Sequence, residues 1–118
     1  GAGMSEADTQ RAIQLAVGSL PDVRLFRNSV GLIQGADGRS HRFGLCVGSS
    51  VLIGWQSIVI TPDMVGRRIA RFVAVEVKHG RNRPTAEQAN FIERVTEAGG
   101  AAGAAWSVAD ALRVLHGQ

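Results

Sequence analysis

Aromatic residues and cysteine are scarce in this sequence, and their scarcity limits what the protein can be. Four phenylalanines, two tryptophans and no tyrosine argue against base stacking on an aromatic platform as the main mode of nucleic-acid binding. The single cysteine, Cys46, cannot form an internal disulfide, which is typical of a protein of the reducing cytoplasm. One cysteine and three scattered histidines also do not supply the ligands of a zinc site.

Long apolar runs are absent as well. No stretch is apolar over enough residues to span a membrane, and the start of the chain has no signal-peptide pattern. Gly1–Gly3 resemble a cloning scar before Met4, so we expect a single domain over residues 4–118. The net charge of +3 favours a polyanionic partner but is too small to establish one.

The stretch Phe72–Lys78 is the most informative segment of the chain. It is short, apolar and β-branched, which predicts a strand near the middle of a sheet. Side chains alternate along a strand, so Ala74, Glu76 and Lys78 share one side. Burying a carboxylate and an ammonium is unfavourable unless they pair or meet a ligand. Two interpretations follow: a structural ion pair, or an active site where the acid holds a divalent metal and the lysine faces a phosphate or the attacking water.

The remaining pattern predicts an α/β fold in the order α-β-β-β-α-β-α, with a mixed sheet of about four strands flanked by helices. Ser5 can cap the first helix, and Thr85–Gln88 form a capping box for the second. Gly54 indicates a bulge or a close approach of two backbones. The strand-helix-strand unit over 72–107 predicts a parallel pair of strands. The predicted elements are helices over 6–18, 85–98 and 108–115, and strands over 23–28, 51–60, 72–78 and 101–107.

Polar segments rich in arginine lie between these elements. The segment 35–42 is predicted to be a polar loop, and the segment 79–84 is a basic loop directly after Lys78. Arginine forks match phosphate oxygens, so these segments are candidates for backbone contacts with DNA, although a solvated loop also accounts for such charges. The candidate arginines are Arg27, Arg39, Arg42, Arg81 and Arg83.

An ordered series of motifs resembles the virus-type replication-repair nucleases (VRR-NUC), a branch of the PD-(D/E)xK nuclease superfamily. The resemblance covers nearly the whole chain. The motifs are Glu6 with Gln10, Arg27-Asn28 with Gly31, the run Gly48–Gly54, Glu76-Val77-Lys78, and the run Thr85–Phe91.

The resemblance implies a restriction-endonuclease-like core and a role for each matched residue. Glu76 and the Val77 carbonyl would ligate Mg²⁺ or Mn²⁺, and Lys78 would orient water or stabilise charge on the phosphate. Glu6 would complete the site through the metal or its waters, and Gln88 would support it from the helix start. Each of the last two has a structural alternative: Glu6 is also a first-turn acid favoured by the helix dipole, and Gln88 also belongs to the capping box.

One position departs from the family pattern. The family places an aspartate, its main metal-bridging carboxylate, just before Leu-Ile-Gly, and this sequence has Val51 there. A valine side chain offers no oxygen ligand, so we expect weakened metal binding and impaired catalysis. Either the chain is a natural altered member, or Val51 is an engineered substitution.

Together these features predict a metal-dependent endonuclease acting on branched or structured DNA in repair, cytoplasmic and bacterial or phage-encoded. A homodimer is expected by analogy with the family. The first alternative is an inactive DNA-binding or structural protein with a nuclease fold, for which Val51 is direct support. The second is an unrelated small α/β enzyme or interaction domain.

Overall fold

The structure is a computed structural model that describes residues 5–116. The proposed cloning scar at Gly1–Gly3 lies outside these residues. The chain divides into two compact units, the first ending at Gln56 and the second beginning at Ser57. The division into two compact units does not test the expectation of a single domain over residues 4–118, which stays a prediction.

The fold is mixed α/β with three helices, as predicted. The number of strands was wrong, because residues 5–116 contain six strands in three ladders of two, instead of about four in one mixed sheet. No helix in this part of the chain combines the length and the apolar character needed to cross a membrane. In chain order the elements are α1 (Glu6–Gly18), β1 (Val23–Arg27), β2 (Gly31–Gln34), β3 (Ser40–Phe43), β4 (Leu52–Gln56), a 3₁₀ turn (Pro62–Met64), β5 (Val73–Val77), α2 (Ala86–Glu97), β6 (Ala101–Ala105) and α3 (Val108–His116).

In the first unit, α1 begins where the sequence predicts. The Ser5 hydroxyl accepts a hydrogen bond from the Asp8 N–H at 3.1 Å, and the Asp8 carboxylate accepts one from the Ser5 N–H. These bonds satisfy two amide groups that the first turn of a helix leaves unpaired. Hydrogen bonds from Ser5 and then Arg11 hold the pKa of the Asp8 carboxyl below its ordinary value.

The antiparallel ladder of β1 and β4 requires a glycine at its centre. Gly54 lies opposite Leu25, and a Cβ at residue 54 would lie 1.8 Å from the Arg24 carbonyl oxygen. The predicted close backbone approach is therefore present. The predicted strand over 51–60 is too long, however, because β4 ends at Gln56. Its partner β1 has only five residues, all of them paired with β4. The apolar residues 58–60, which follow β4, therefore have no partner in this ladder.

The predicted polar loop over 35–42 is partly a hairpin. Strands β2 and β3 pair antiparallel around a turn in which Gly38 has a φ of 78°. The Asp37 carboxylate accepts hydrogen bonds from the Arg39 N–H at 2.9 Å and from the His41 ring, and these bonds lower its pKa. The polar sequence of β3 has no apolar alternation, so its strand character comes from this turn rather than from a buried face.

In the second unit, β5 and β6 pair in parallel through the crossover helix α2, as predicted. The buried centre of this unit consists of Val95 on α2 and of Ala101 and Ala105 on β6. Helix α2 ends at Glu97 with Ala98 as its C-cap, and Gly99 follows with a φ of 103°, which suits a glycine after a helix.

Candidate active site

Glu76 and Lys78 project from the same side of β5 and contact each other. The Lys78 Nζ lies 3.7 Å from the Glu76 Oε1, and their side chains are 16% and 34% exposed. The intervening Val77 points to the other side and is 76% exposed. Two charged groups thus occupy the more sheltered side of the strand, while valine faces outward. This inverts the usual apolar-in, polar-out order of a half-buried strand.

A cleft of about 380 Å³ opens beside Glu76. It lies between β5 and the first two turns of α2, so the carboxylate faces a space that a small group can enter. Glu87 and Gln88 are the other polar residues of its lining. Its lining residues are Ala74, Val75, Glu76, Glu87, Gln88, Phe91 and Ile92.

The start of α2 is fixed by the predicted capping box. The Thr85 hydroxyl accepts a hydrogen bond from the Gln88 N–H at 3.2 Å, and the Gln88 Oε1 accepts one from the Thr85 N–H at 2.9 Å. Capping therefore explains the position of Gln88 and engages its amide oxygen. The amide NH₂ is not part of this contact and remains a donor on a residue that lines the cleft.

The basic loop, residues 79–84, follows β5 at the carboxyl edge of the parallel pair. The Lys78 N–H donates to the Ala105 carbonyl at 2.9 Å, which extends the ladder one residue past β5. Trp106, directly after β6, donates its indole N–H to the Asn82 carbonyl at 3.0 Å, and the Arg83 guanidinium lies 5.2 Å from the indole ring centre. No role for Trp106 was predicted from the sequence. Parallel strands end at the same edge of a sheet, so the residues that follow them are neighbours. This rule could have placed Trp106, which follows β6, beside the loop that follows β5.

In the first unit, two of the motif segments are brought together. Arg27 ends β1 opposite Leu52, and the Asn28 N–H donates to the Val51 carbonyl at 2.7 Å. The Asn28 Nδ2 also donates to the Ser49 hydroxyl at 2.8 Å and to the Ser50 carbonyl at 3.0 Å. The Asn28 Oδ1 accepts a hydrogen bond from the Leu45 N–H at 3.1 Å. Asn28 thus ties the loop before β4 to the end of β1, a structural role that sequence reasoning missed.

The other predicted site residues of this unit lie on separate elements. Glu6 is the first residue of α1 and is exposed, where the helix dipole favours an acid. Arg39 lies in the turn of the β2–β3 hairpin, and Arg42 lies in β3 opposite Leu32. Val51 lies directly before β4 and is 47% exposed. Convergence of these residues with Glu76 stays a prediction.

Of the predicted metal ligands, Glu76 lines the cleft. Within residues 5–116, no three or more histidine, cysteine, aspartate or glutamate side chains gather into a group that could hold a metal ion. Mg²⁺ commonly uses only one or two carboxylates, with waters and substrate phosphates as its remaining ligands. The Glu76 carboxylate and the Val77 carbonyl belong to the hard-oxygen class of donor that this ion prefers.

Comparison with known proteins adds no assignment. No protein-family model, no curated protein and no solved structure matches the chain.

Proposed function

We propose that this protein is a metal-dependent deoxyribonuclease with a restriction-endonuclease-like core, impaired by the valine at residue 51. Its substrate would be a phosphodiester of branched or structured DNA, and its role would be in DNA repair. The observation that supports this proposal best is the half-buried pair of Glu76 and Lys78, separated by 3.7 Å, beside an open cleft. An ion pair that only stabilises the fold does not need an open cleft beside one of its two charged residues.

Each group has a chemical task in this proposal. Glu76 and the Val77 carbonyl would hold Mg²⁺ or Mn²⁺, and Glu6 would complete the site, as the family resemblance implies. The ion supplies positive charge against the phosphate oxygens when it is bound. Lys78 orients the attacking water or stabilises the charge that grows on the phosphate, and its partial burial strengthens that interaction. Gln88 supports the site with its remaining amide donor.

Backbone contacts with DNA are assigned to exposed arginines. They suit sequence-independent binding, because guanidinium groups recognise phosphate oxygens and carry no base information. Two such sites are needed to cut both strands of a junction symmetrically, so the active form is proposed to be a homodimer. The arginines are Arg27, Arg39, Arg42, Arg81 and Arg83.

The first experiment restores the missing acid. Because Val51 is 47% exposed, an aspartate fits there without repacking a buried core. Cleavage of a labelled three-way DNA junction in Mn²⁺ or Mg²⁺ should rise by a factor of roughly 100 or more in Val51→Asp, which is the size of one strong electrostatic catalytic contact. Val51→Asn is the matched control, since it adds an oxygen without a charge. Equal cleavage by Val51→Asp and the original chain would contradict the assignment of residue 51.

A second substitution separates chemistry from binding. Adding Lys78→Ala to Val51→Asp should abolish cleavage while leaving junction binding largely intact, because the proposed ammonium acts on the reacting phosphate. An equal loss of binding would instead identify Lys78 as a phosphate anchor. Binding should be measured without divalent ions, so that turnover does not deplete the substrate.

The alternative is an inactive DNA-binding or structural protein with a nuclease fold. Val51 supports it directly, because the valine removes the acid on which metal binding depends. Salt-dependent junction binding without cleavage by Val51→Asp would favour this alternative. No binding at all would favour an unrelated α/β protein.

A further inference from the structure

We infer that Trp106 is a positioning residue for DNA binding, acting through Arg83 of the basic loop. This inference rests on the proposed function, and it adds a residue that the family resemblance does not supply. The indole carries two contacts at once: its N–H bonds to the loop backbone at Asn82, and its ring lies 5.2 Å from the Arg83 guanidinium. One side chain therefore fixes both the loop and the charge that the loop presents.

The backbone of Trp106 is fixed by hydrogen bonds at the start of α3. Its backbone N–H donates to the Asp110 carboxylate at 3.0 Å, and the Asp110 N–H donates to the Ser107 hydroxyl at 3.1 Å. Arg113 pairs with the same carboxylate. The indole thus extends from an anchored helix start, so the loop that it contacts is restrained by the folded body of the second unit.

Across from the indole, the basic loop adds restraints of its own. The Asn82 N–H donates to the His79 carbonyl at 3.1 Å, and Gly80 has a φ of 59°, which marks a tight turn. The Lys78 N–H joins the same loop to β6 through the Ala105 carbonyl. With the indole bond to Asn82, the loop is held at its start, within its turn and near its end.

Arg83 keeps its hydrogen-bonding edge available in this arrangement. A cation over an aromatic ring is held by the ring face, and for arginine this leaves the in-plane N–H groups for a phosphate. Within residues 57–116, Arg94 and Arg113 form ion pairs with acids, whereas no carboxylate of that range pairs with Arg83. An arginine already ordered before binding loses less side-chain freedom on contact with DNA.

The test is a double-mutant cycle read by junction binding in EDTA at several salt concentrations. Arg83→Ala should lower the slope of log K against log salt by about one, as expected for the loss of one phosphate contact. Trp106→Leu should weaken binding about threefold in the original chain, the size of an exposed cation–π contact. In the Arg83→Ala background, Trp106→Leu should have no further effect. In the original chain, Trp106→Phe keeps an aromatic ring but loses the bond to Asn82, so its affinity should lie between those of Trp106→Leu and the original chain.

The control is Arg67→Ala, which removes an exposed arginine charge from the same unit. An equal loss of junction affinity in Arg67→Ala and Arg83→Ala would mean that only the net charge matters, and it would overturn the inference. So would a Trp106→Leu effect of the same size in both backgrounds, since that is the result of a general structural defect. If the original chain does not bind the junction at all, both the proposed function and this inference fall. If it binds but Trp106→Leu changes nothing, only the inference falls.

A second measurement covers the case in which Trp106→Leu does not fold. The variant Trp55→Phe leaves Trp106 as the only tryptophan. Its fluorescence should change when the junction saturates the protein, and this change should be lost in Arg83→Ala. An emission that stays constant on saturation would overturn the inference without any variant at residue 106.

Discussion

Replacing Gly54 by alanine should separate β1 from β4 and destabilise the first unit. The glycine has no unusual φ, so the constraint is space alone. An added Cβ would lie 1.8 Å from the Arg24 oxygen and 2.7 Å from the Arg24 carbonyl carbon, both in the backbone of β1. Backbone atoms cannot rotate away as a flexible side chain can, so the two strands themselves must move.

The size of the effect follows from these distances. An ordinary contact begins near 3.4 Å, so β1 must retreat by about 1.6 Å at this point. Ladder hydrogen bonds of about 2.9 Å do not survive such a movement, and each contributes roughly 0.5–1.5 kcal/mol net. Two adjacent bonds and the strain of overpacking together give a loss of about 2–4 kcal/mol. For a unit of modest size this corresponds to a fall in Tm of roughly 10–20 °C.

The assay is thermal unfolding followed by tryptophan fluorescence in a Trp106→Phe background, where Trp55 reports on the strand that contains Gly54. Gly18→Ala is the matched control. Its Cβ would meet only Leu25, at an ordinary 3.8 Å, and alanine is the better residue within a helix. Gly18→Ala should leave Tm unchanged or raise it slightly. Equal Tm values for the two variants would refute the reasoning.

Three further predictions concern the polar contacts of both units. Asn28→Leu removes three side-chain hydrogen bonds and should speed hydrogen exchange at residues 44–50 while β6 is unaffected. The Trp106 N–H, and then Arg113, hold the pKa of the Asp110 carboxyl below its ordinary value, so its stabilising effect is present at neutral pH and is lost as the pH falls through the folded-state pKa. Urea unfolding of the original chain and of Asp110→Asn should therefore differ at pH 7 and converge below about pH 4. Thr85→Ala and Gln88→Ala should each destabilise α2 by about 1 kcal/mol, and in the Val51→Asp background only Gln88→Ala should lower cleavage beyond what lost stability explains.

Elements with local signals were predictable from the sequence. The first residue of α1 was predicted from Ser5, and the start of α2 from Thr85 with Gln88. In both helices two residues three positions apart each accept a hydrogen bond in the side chain from the backbone N–H of the other. The parallel pairing of β5 with β6 follows from a general rule about crossovers and needs no long-range information. The shared side of Glu76 and Lys78 follows from the two-residue period of a strand, so their proximity was also accessible.

Contacts between distant polar residues were not predictable. The Asn28 side chain bonds to residues 17 to 22 positions away, and the Trp106 indole bonds to one 24 positions away. Neither residue has a periodic neighbour that marks it. The β2–β3 hairpin was missed for a related reason, because its turn sets the pairing and its strands have no buried face. The role proposed for residue 51 depends on tertiary placement, which no local pattern contains.

The small residues of β6 have a consequence for how this sequence can diverge. The strand reads Ala-Ala-Gly-Ala-Ala, and a Cβ at Gly103 would lie 2.8 Å from a methyl group of Val114 on α3. Ala101 and Ala105 are buried, and Val114 of α3 leaves no space for a side chain at Gly103, so larger residues are disfavoured at these three positions of β6. Variation during evolution should therefore accumulate on the outward valines and in the loops, while these positions accept exchanges only among glycine, alanine and serine.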